Sequence, residues 1–119
     1  PLDPVGDMDR VAAQFGKSDG VQARHFIFSF QPLELGSHTE AAHIAQEITT
    51  CLGAEYQTVS AVHEDKQHLH IHTVINSVSY VDGHRYRGTK QEFYTMKDQV
   101  RQILRRYGID RLDYVSSYR

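Results

Sequence analysis

Four of the chain's eight histidines fall between Val62 and Asn76, at His63, His68, His70 and His72. His68, His70 and His72 alternate with Leu69, Ile71 and Thr73, which is the period of a β-strand. The three imidazoles are therefore expected on one sheet face and the apolar residues on the other. Along a strand, residues i and i+2 carry Cβ atoms roughly 7 Å apart, so adjacent members of the set can converge on a point between them. A third donor must come from a neighbouring strand, and His63, across a short polar turn, is the candidate. His63, His70 and His72 together are expected to hold a divalent ion, because neutral imidazoles suit a borderline cation and leave positions open for phosphate oxygens. Asp65 is placed to orient one of these rings through its N–H. His68 lies nearer the turn and is the weaker ligand candidate. The duller alternative is a polar strand face of hydrogen-bonded histidines, and the density of imidazole argues against it.

The elements that must position this set follow from periodicity and turn chemistry. Asp3 to Phe15 predicts a helix closed by Gly16. Arg24 to Phe30 predicts a strand with Phe26, Phe28 and Phe30 toward the core, and with His25, Ile27 and Ser29 away from it. Ser37-His38-Thr39-Glu40 and Thr89-Lys90-Gln91-Glu92 both match a capping box. The first opens a helix carrying Ala41, Ile44, Ala45, Ile48 and Leu52 on one side and ended by Gly53. The second opens a helix with Phe93, Met96, Val100, Ile103, Leu104 and Tyr107 at helical spacing, ended by Gly108. Between them a strand from Tyr56 to His63, a turn over Glu64 to Gln67 and a strand from His68 to Tyr80 make an antiparallel hairpin. Asp82-Gly83 turns the chain again, into a return strand through His84 to Arg87. The tail after Ile109 shows no clear pattern. The expected order is α-β-α-β-β-β-α. The fold class is α+β, one antiparallel sheet with helices on one face and an open histidine-bearing face.

A chain of 119 residues, 39% hydrophobic and 24% charged, reads as one globular domain, residues 1–119. It opens on Pro1 rather than Met, as an excised piece of a longer protein would. The single cysteine, Cys51, excludes an internal disulfide and fits a reducing cytoplasm. No apolar run reaches membrane-spanning length and no signal peptide is evident, so no membrane insertion is expected. Net charge is −2, but from Arg85 onward nine Lys/Arg face four acids. That asymmetry permits a patch for a polyanion, with Arg85, Arg87 and Lys90, at the entry to the last helix, as the candidates for phosphate contact.

The run from Val62 to His72, continued by Ile75-Asn76-Ser77, resembles the third motif of the conjugative relaxases. These are mobilisation nucleases of the HUH superfamily, here of the MobP class with its VirD2-like and MobA-like members. The family pattern is H-x-D-x-x-x-x-H-x-H followed by Asn. Gly16-Lys17, Gly20 to Phe26 and Ser29-Phe30 resemble the segment before the family's first long helix. Arg85-Tyr86-Arg87 and Lys90 to Gly108 resemble the region after the metal motif. The resemblance implies the HUH, ferredoxin-like relaxase fold and strand-specific nicking and rejoining of DNA at a transfer origin. A tyrosine becomes linked to the 5′ phosphate while three histidines hold a divalent ion. The ion expected is Mn²⁺ or Mg²⁺, with Zn²⁺ or Ni²⁺ as alternatives. The partners implied are single-stranded or origin DNA, accessory relaxosome proteins and a type IV secretion coupling protein, in a bacterial cytoplasm.

One feature departs from the family pattern. The family's nucleophilic tyrosine belongs to a motif upstream of everything here, and none of Tyr56, Tyr80, Tyr86, Tyr94, Tyr107, Tyr114 or Tyr118 matches it. The chain is thus expected to lack that motif and to be inactive alone, unless a C-terminal tyrosine serves. Two other functions compete. His68 to Val74 also fits the histidine-triad pattern of nucleotide hydrolases, which needs no metal but leaves His63 and Asp65 without a role. A module that binds metal and DNA without cutting is the non-enzymatic alternative.

Overall fold

A computed structural model describes residues 4–30, 38–64, 69–109, 112 and 114–118. Three helices, α1 (Pro4–Gln14), α2 (His38–Leu52) and α3 (Lys90–Arg105), accompany four strands. The strands are β1 (Ala23–Phe30), β2 (Thr58–Glu64), β3 (Leu69–Asn76) and β4 (Tyr114–Tyr118). They form one antiparallel sheet in the spatial order β2-β3-β1-β4. The α+β class expected from the sequence is the one observed.

Alternation decides which side of the sheet is dry. Phe26, Phe28 and Phe30 of β1 and Leu69, Ile71, Thr73 and Ile75 of β3 are buried. They pack with Ala41, Ile44, Ala45 and Ile48 of α2 and with Met96, Val100, Ile103 and Leu104 of α3. Each large apolar side chain buried here contributes about 1.5–3 kcal/mol, which fixes the strand parity. A polar pair on the dry side is satisfied: Ser60 and Thr73 face each other with their hydroxyls 2.9 Å apart, and Thr49 of α2 reaches Ser60 at 2.8 Å.

Local chemistry sets the element ends. Thr89 is the N-cap of α3, and both halves of the expected capping box are present. Ser37, which would open the other box, lies outside the described residues. The loop before α3 is pinned to α1. Gly83 has φ +78°, and a Cβ there would stand 2.3 Å from the Phe15 ring, so only glycine lets the loop and helix close together.

Three expectations need correction. The strand starting near Leu69 ends at Asn76 rather than at Tyr80. Beyond it no return strand forms over His84 to Arg87, and only a Val78–Arg85 bridge remains. The cause is local competition by side chains: Asn76 Oδ1 accepts from Val78 N, Ser79 Oγ from Val81 N, and Asp82 Oδ1 from His84 N. The third concerns the tail, which supplies β4, an edge strand beside β1. The element order is therefore α-β-α-β-β-α-β.

Candidate functional site

The β2–β3 register sets His63 opposite His70 and Ala61 opposite His72. The β1–β3 register sets Ser29 opposite His70 and Ile27 opposite His72. His63, His70 and His72 therefore share the face turned away from the phenylalanines. Their ring centroids are 6.3 Å (His63–His70), 6.2 Å (His63–His72) and 6.5 Å (His70–His72) apart. His63 is exposed, and His70 and His72 are half-buried. Partial burial, and then the neighbouring imidazoles His25, His63 and His70, hold the His72 ring below the usual histidine range. It is thus kept neutral, the form in which an imidazole binds a cation.

The donor set suits a metal, because three imidazoles, a common ligand type for divalent cations, gather on one sheet face. Zn–N bonds of about 2.0–2.1 Å would bring three convergent ring centroids to within roughly 5 Å of one another, about 1 Å closer than these rings stand. As placed, no three His, Cys, Asp or Glu side chains among the described residues form a metal-holding group. Ligation needs a small inward rotation of each ring. Asp65 and His68, the orienting and weaker ligand candidates, lie outside the described residues.

The sequence reasoning missed His25. Its Nε2 lies 3.2 Å from Nδ1 of His72, and the two ring centroids are 5.3 Å apart. Strand parity already put His25 on the side away from Phe26 and Phe28. The absent signal was the register between β1 and β3, which no pattern within one strand carries.

The three basic candidates are differently placed. Arg85 donates to the carbonyls of Val21 and Lys17, both at 3.2 Å, and its side chain is only 16% exposed. Arg87 and Lys90 are exposed. Arg85 is bridged to Val78, six positions past His72 and beyond the end of β3.

The tyrosines with described side chains find their partners away from His63, His70 and His72. Tyr56 and Tyr86 belong to the core, and burial above all pushes both phenols up to about 12. Tyr56 Oη is held by His84 Nε2 at 2.7 Å, with Asp82 on the other ring nitrogen. Tyr107 donates to Glu47, which raises its phenol. Tyr80 donates to the Gly53 carbonyl, and Tyr94 is exposed on α3. By backbone register, Tyr114 falls opposite Ser29 and Tyr118 opposite His25, positions of the same parity as the histidines.

Among the described residues no helix is long and apolar enough to cross a membrane. The family model described as Relaxase, MobA/VirD2-like, nuclease domain, matches residues 2–109. The chain is 34% identical over 97 residues to the protein rlx of Staphylococcus aureus, covering 82% of this chain and 30% of that protein. It is 34% identical over 108 residues to the protein TraI of Escherichia coli, covering 85% and 14%. To the group II intron-interrupted relaxase LtrB of Lactococcus lactis it is 32% identical over 71 residues, covering 59% and 13%. The chain thus spans less than a third of the length of these relatives. No solved structure matches it.

Proposed function

Because this chain belongs to the MobA/VirD2-like relaxase nuclease family, we propose that it nicks and rejoins one DNA strand at a transfer origin during conjugative mobilisation. The observation that carries the reading is the gathering of His63, His70 and His72 on one sheet face. These three would hold a divalent ion, Mn²⁺ or Mg²⁺ in the cell, with Zn²⁺ or Ni²⁺ able to substitute. When bound, the ion neutralises charge that grows on the non-bridging oxygens of the scissile phosphate.

The rest is work for the chain's own groups. His72 is held neutral and so keeps a lone pair for ligation. Asp65 orients one of the other imidazoles. Arg87 and Lys90 take phosphates of the strand leading away from the site. Arg85, its guanidinium engaged with backbone carbonyls, shapes the loop that presents them.

A tyrosine phenol is the nucleophile. Its oxygen gives up its proton and bonds to phosphorus as the bond between phosphorus and the 3′ oxygen breaks, and the 3′ oxygen takes up a proton to leave as a hydroxyl, so the proton count is unchanged. The reverse step rejoins the strand with no external energy, because one phosphodiester has replaced another. The tyrosines whose side chains are described have their partners away from the cluster, which leaves an upstream segment, Tyr114 or Tyr118 as the proposed source of the nucleophile. In the cell the partners are origin DNA, the accessory relaxosome proteins and a secretion coupling protein, met in the cytoplasm.

The test uses labelled single-stranded oligonucleotides spanning a transfer origin, with Mn²⁺. They are incubated with this chain and with a version extended upstream through the family's tyrosine motif. The expected result is a protein–DNA adduct that survives denaturing electrophoresis and forms only with the extended version. An adduct with the 119-residue chain, lost on Tyr114→Phe or Tyr118→Phe, would put the nucleophile in β4. DNA and metal binding with no adduct from either version would reduce the domain to a binding module and sink the nuclease reading.

A further inference from the structure

His25 is half-buried on β1, opposite Val74 and two residue pairs along from the Ile27–His72 pairing, and reaches His72 diagonally across the sheet. Its Nε2 stands 3.2 Å from His72 Nδ1, hydrogen-bond distance for two ring nitrogens. The ring planes are tilted by 38°, with centroids 5.3 Å apart.

One proton must lie between those two nitrogens, since two lone pairs or two N–H groups would repel. That leaves two arrangements. In one, His25 donates from Nε2 and His72 accepts at Nδ1. His72 then carries its own proton on Nε2 and has no lone pair for a cation. In the other, His72 donates from Nδ1 to the Nε2 lone pair of His25. His72 Nε2 is then bare, and His25 carries its proton on Nδ1. Only the second is compatible with ligation, because Nδ1 of His72 is occupied by His25 in either case.

We infer that His25 is a positioning residue for the metal: it accepts the Nδ1 proton of His72, and so fixes the tautomer and ring plane that turn His72 Nε2 toward His63 and His70. The inference rests on the metal reading above and adds a residue which that reading does not contain.

The choice of partner has a chemical consequence. The commoner outer partner of a ligating histidine is a carboxylate, which adds negative charge beside the ion. An imidazole acceptor sets the tautomer and adds none. More of the ion's positive charge is then left for an anionic phosphodiester, which is what a site acting on DNA needs.

Two variants separate the roles. His25→Gln keeps an acceptor close to the Nε2 position, and His25→Phe keeps a flat ring of similar size without one. Binding of Mn²⁺ and Zn²⁺ is measured by calorimetry for each, with circular dichroism to confirm folding. In the Zn²⁺-loaded chain, NMR is used to look for a through-hydrogen-bond coupling between His72 Nδ1 and His25 Nε2. Metal affinity is expected to fall about 10- to 100-fold in His25→Phe, the usual worth of an outer partner, and to recover in His25→Gln. The coupling is expected in the parent chain.

Unchanged affinity in a folded His25→Phe, or a coupling absent from a Zn²⁺-loaded parent, overturns the inference and leaves the metal reading standing. A parent chain that takes up neither ion overturns the metal reading and the inference with it. Should His25→Phe fail to fold, His25→Gln decides. Parent affinity there supports the role, and a loss as large as that of His72→Ala refutes it.

Discussion

His63 and His70 stand directly opposite each other on β2 and β3, with ring centroids 6.3 Å apart. The pairing of the two strands, rather than closeness in the chain, is what makes them neighbours. It is also a sensitive arrangement. A slip of one residue would carry His63 to the dry side and Val62 to the wet one, so the apolar set Leu69, Ile71 and Ile75 holds the histidines in place by holding the register. His72 completes the group from the same strand as His70, and the site is thus a property of one hairpin.

Ligand removal is the first prediction. His63→Ala, His70→Ala and His72→Ala should each lower Mn²⁺ or Zn²⁺ affinity, measured by calorimetry, by more than the roughly 10- to 100-fold typical of an outer partner. Folding should persist, because none of the three rings belongs to the core cluster. Affinities that stay at the parent level in all three variants would remove the metal from the site.

The hairpin was legible because its signal is local: parity alone puts His70 and His72 together, and a short turn brings His63 across. The helices were legible for the same reason, Thr89 and Glu92 marking the start of α3 as the structure has it. What could not be read depends on partners distant in the chain. The role of β4 is set by its pairing with β1, and the tail carries no pattern that names that partner. The His25–His72 contact needs the β1–β3 register. Arg85 looked like a free cation because the carbonyls of Lys17 and Val21 that occupy it leave no trace in side-chain chemistry.

Asn76, part of the motif that suggested a nuclease, is predicted to act on stability rather than on the metal. It is buried, donates from Nδ2 to the Met8 carbonyl at 3.1 Å and to Gln57 Oε1 at 3.0 Å, and accepts from Val78 N at 3.1 Å. Asn76→Ala strands three polar groups and should cost roughly 3 kcal/mol in chemical denaturation. Metal affinity of the folded variant should match the parent. A variant of parent stability that no longer binds metal would reverse this assignment.

The cap of α3 offers a smaller, cleaner effect. Glu92 N donates to Thr89 Oγ1, and Glu92 Oε1 accepts from the backbone N–H groups of Thr89 and Arg87. Thr89→Ala should cost about 1 kcal/mol by thermal melting, and Thr89→Ser should recover most of it. Equal melting temperatures for Thr89→Ala and the parent would show the box to be ornamental.

The last prediction separates two kinds of basic residue that the sequence presents side by side. Arg87 and Lys90 are exposed at the start of α3, whereas Arg85 is largely covered and holds two backbone carbonyls. Phosphate contacts announce themselves through salt, because each one formed on a single strand releases condensed counterions. Losing a contact should flatten the slope of log affinity against log salt by roughly 0.7. Arg87→Glu and Lys90→Glu should therefore weaken binding of single-stranded DNA at low salt and flatten that slope, with the fold intact. Arg85→Ala should do the reverse, costing about 2 kcal/mol of stability through its lost charge-assisted bonds while leaving the slope alone. Fluorescence anisotropy across a salt series measures the first effect, and urea unfolding the second. Unchanged slopes for Arg87→Glu and Lys90→Glu would mean that these side chains only solvate the helix. The strand's path from the histidines would then have to be sought over some other part of the sheet.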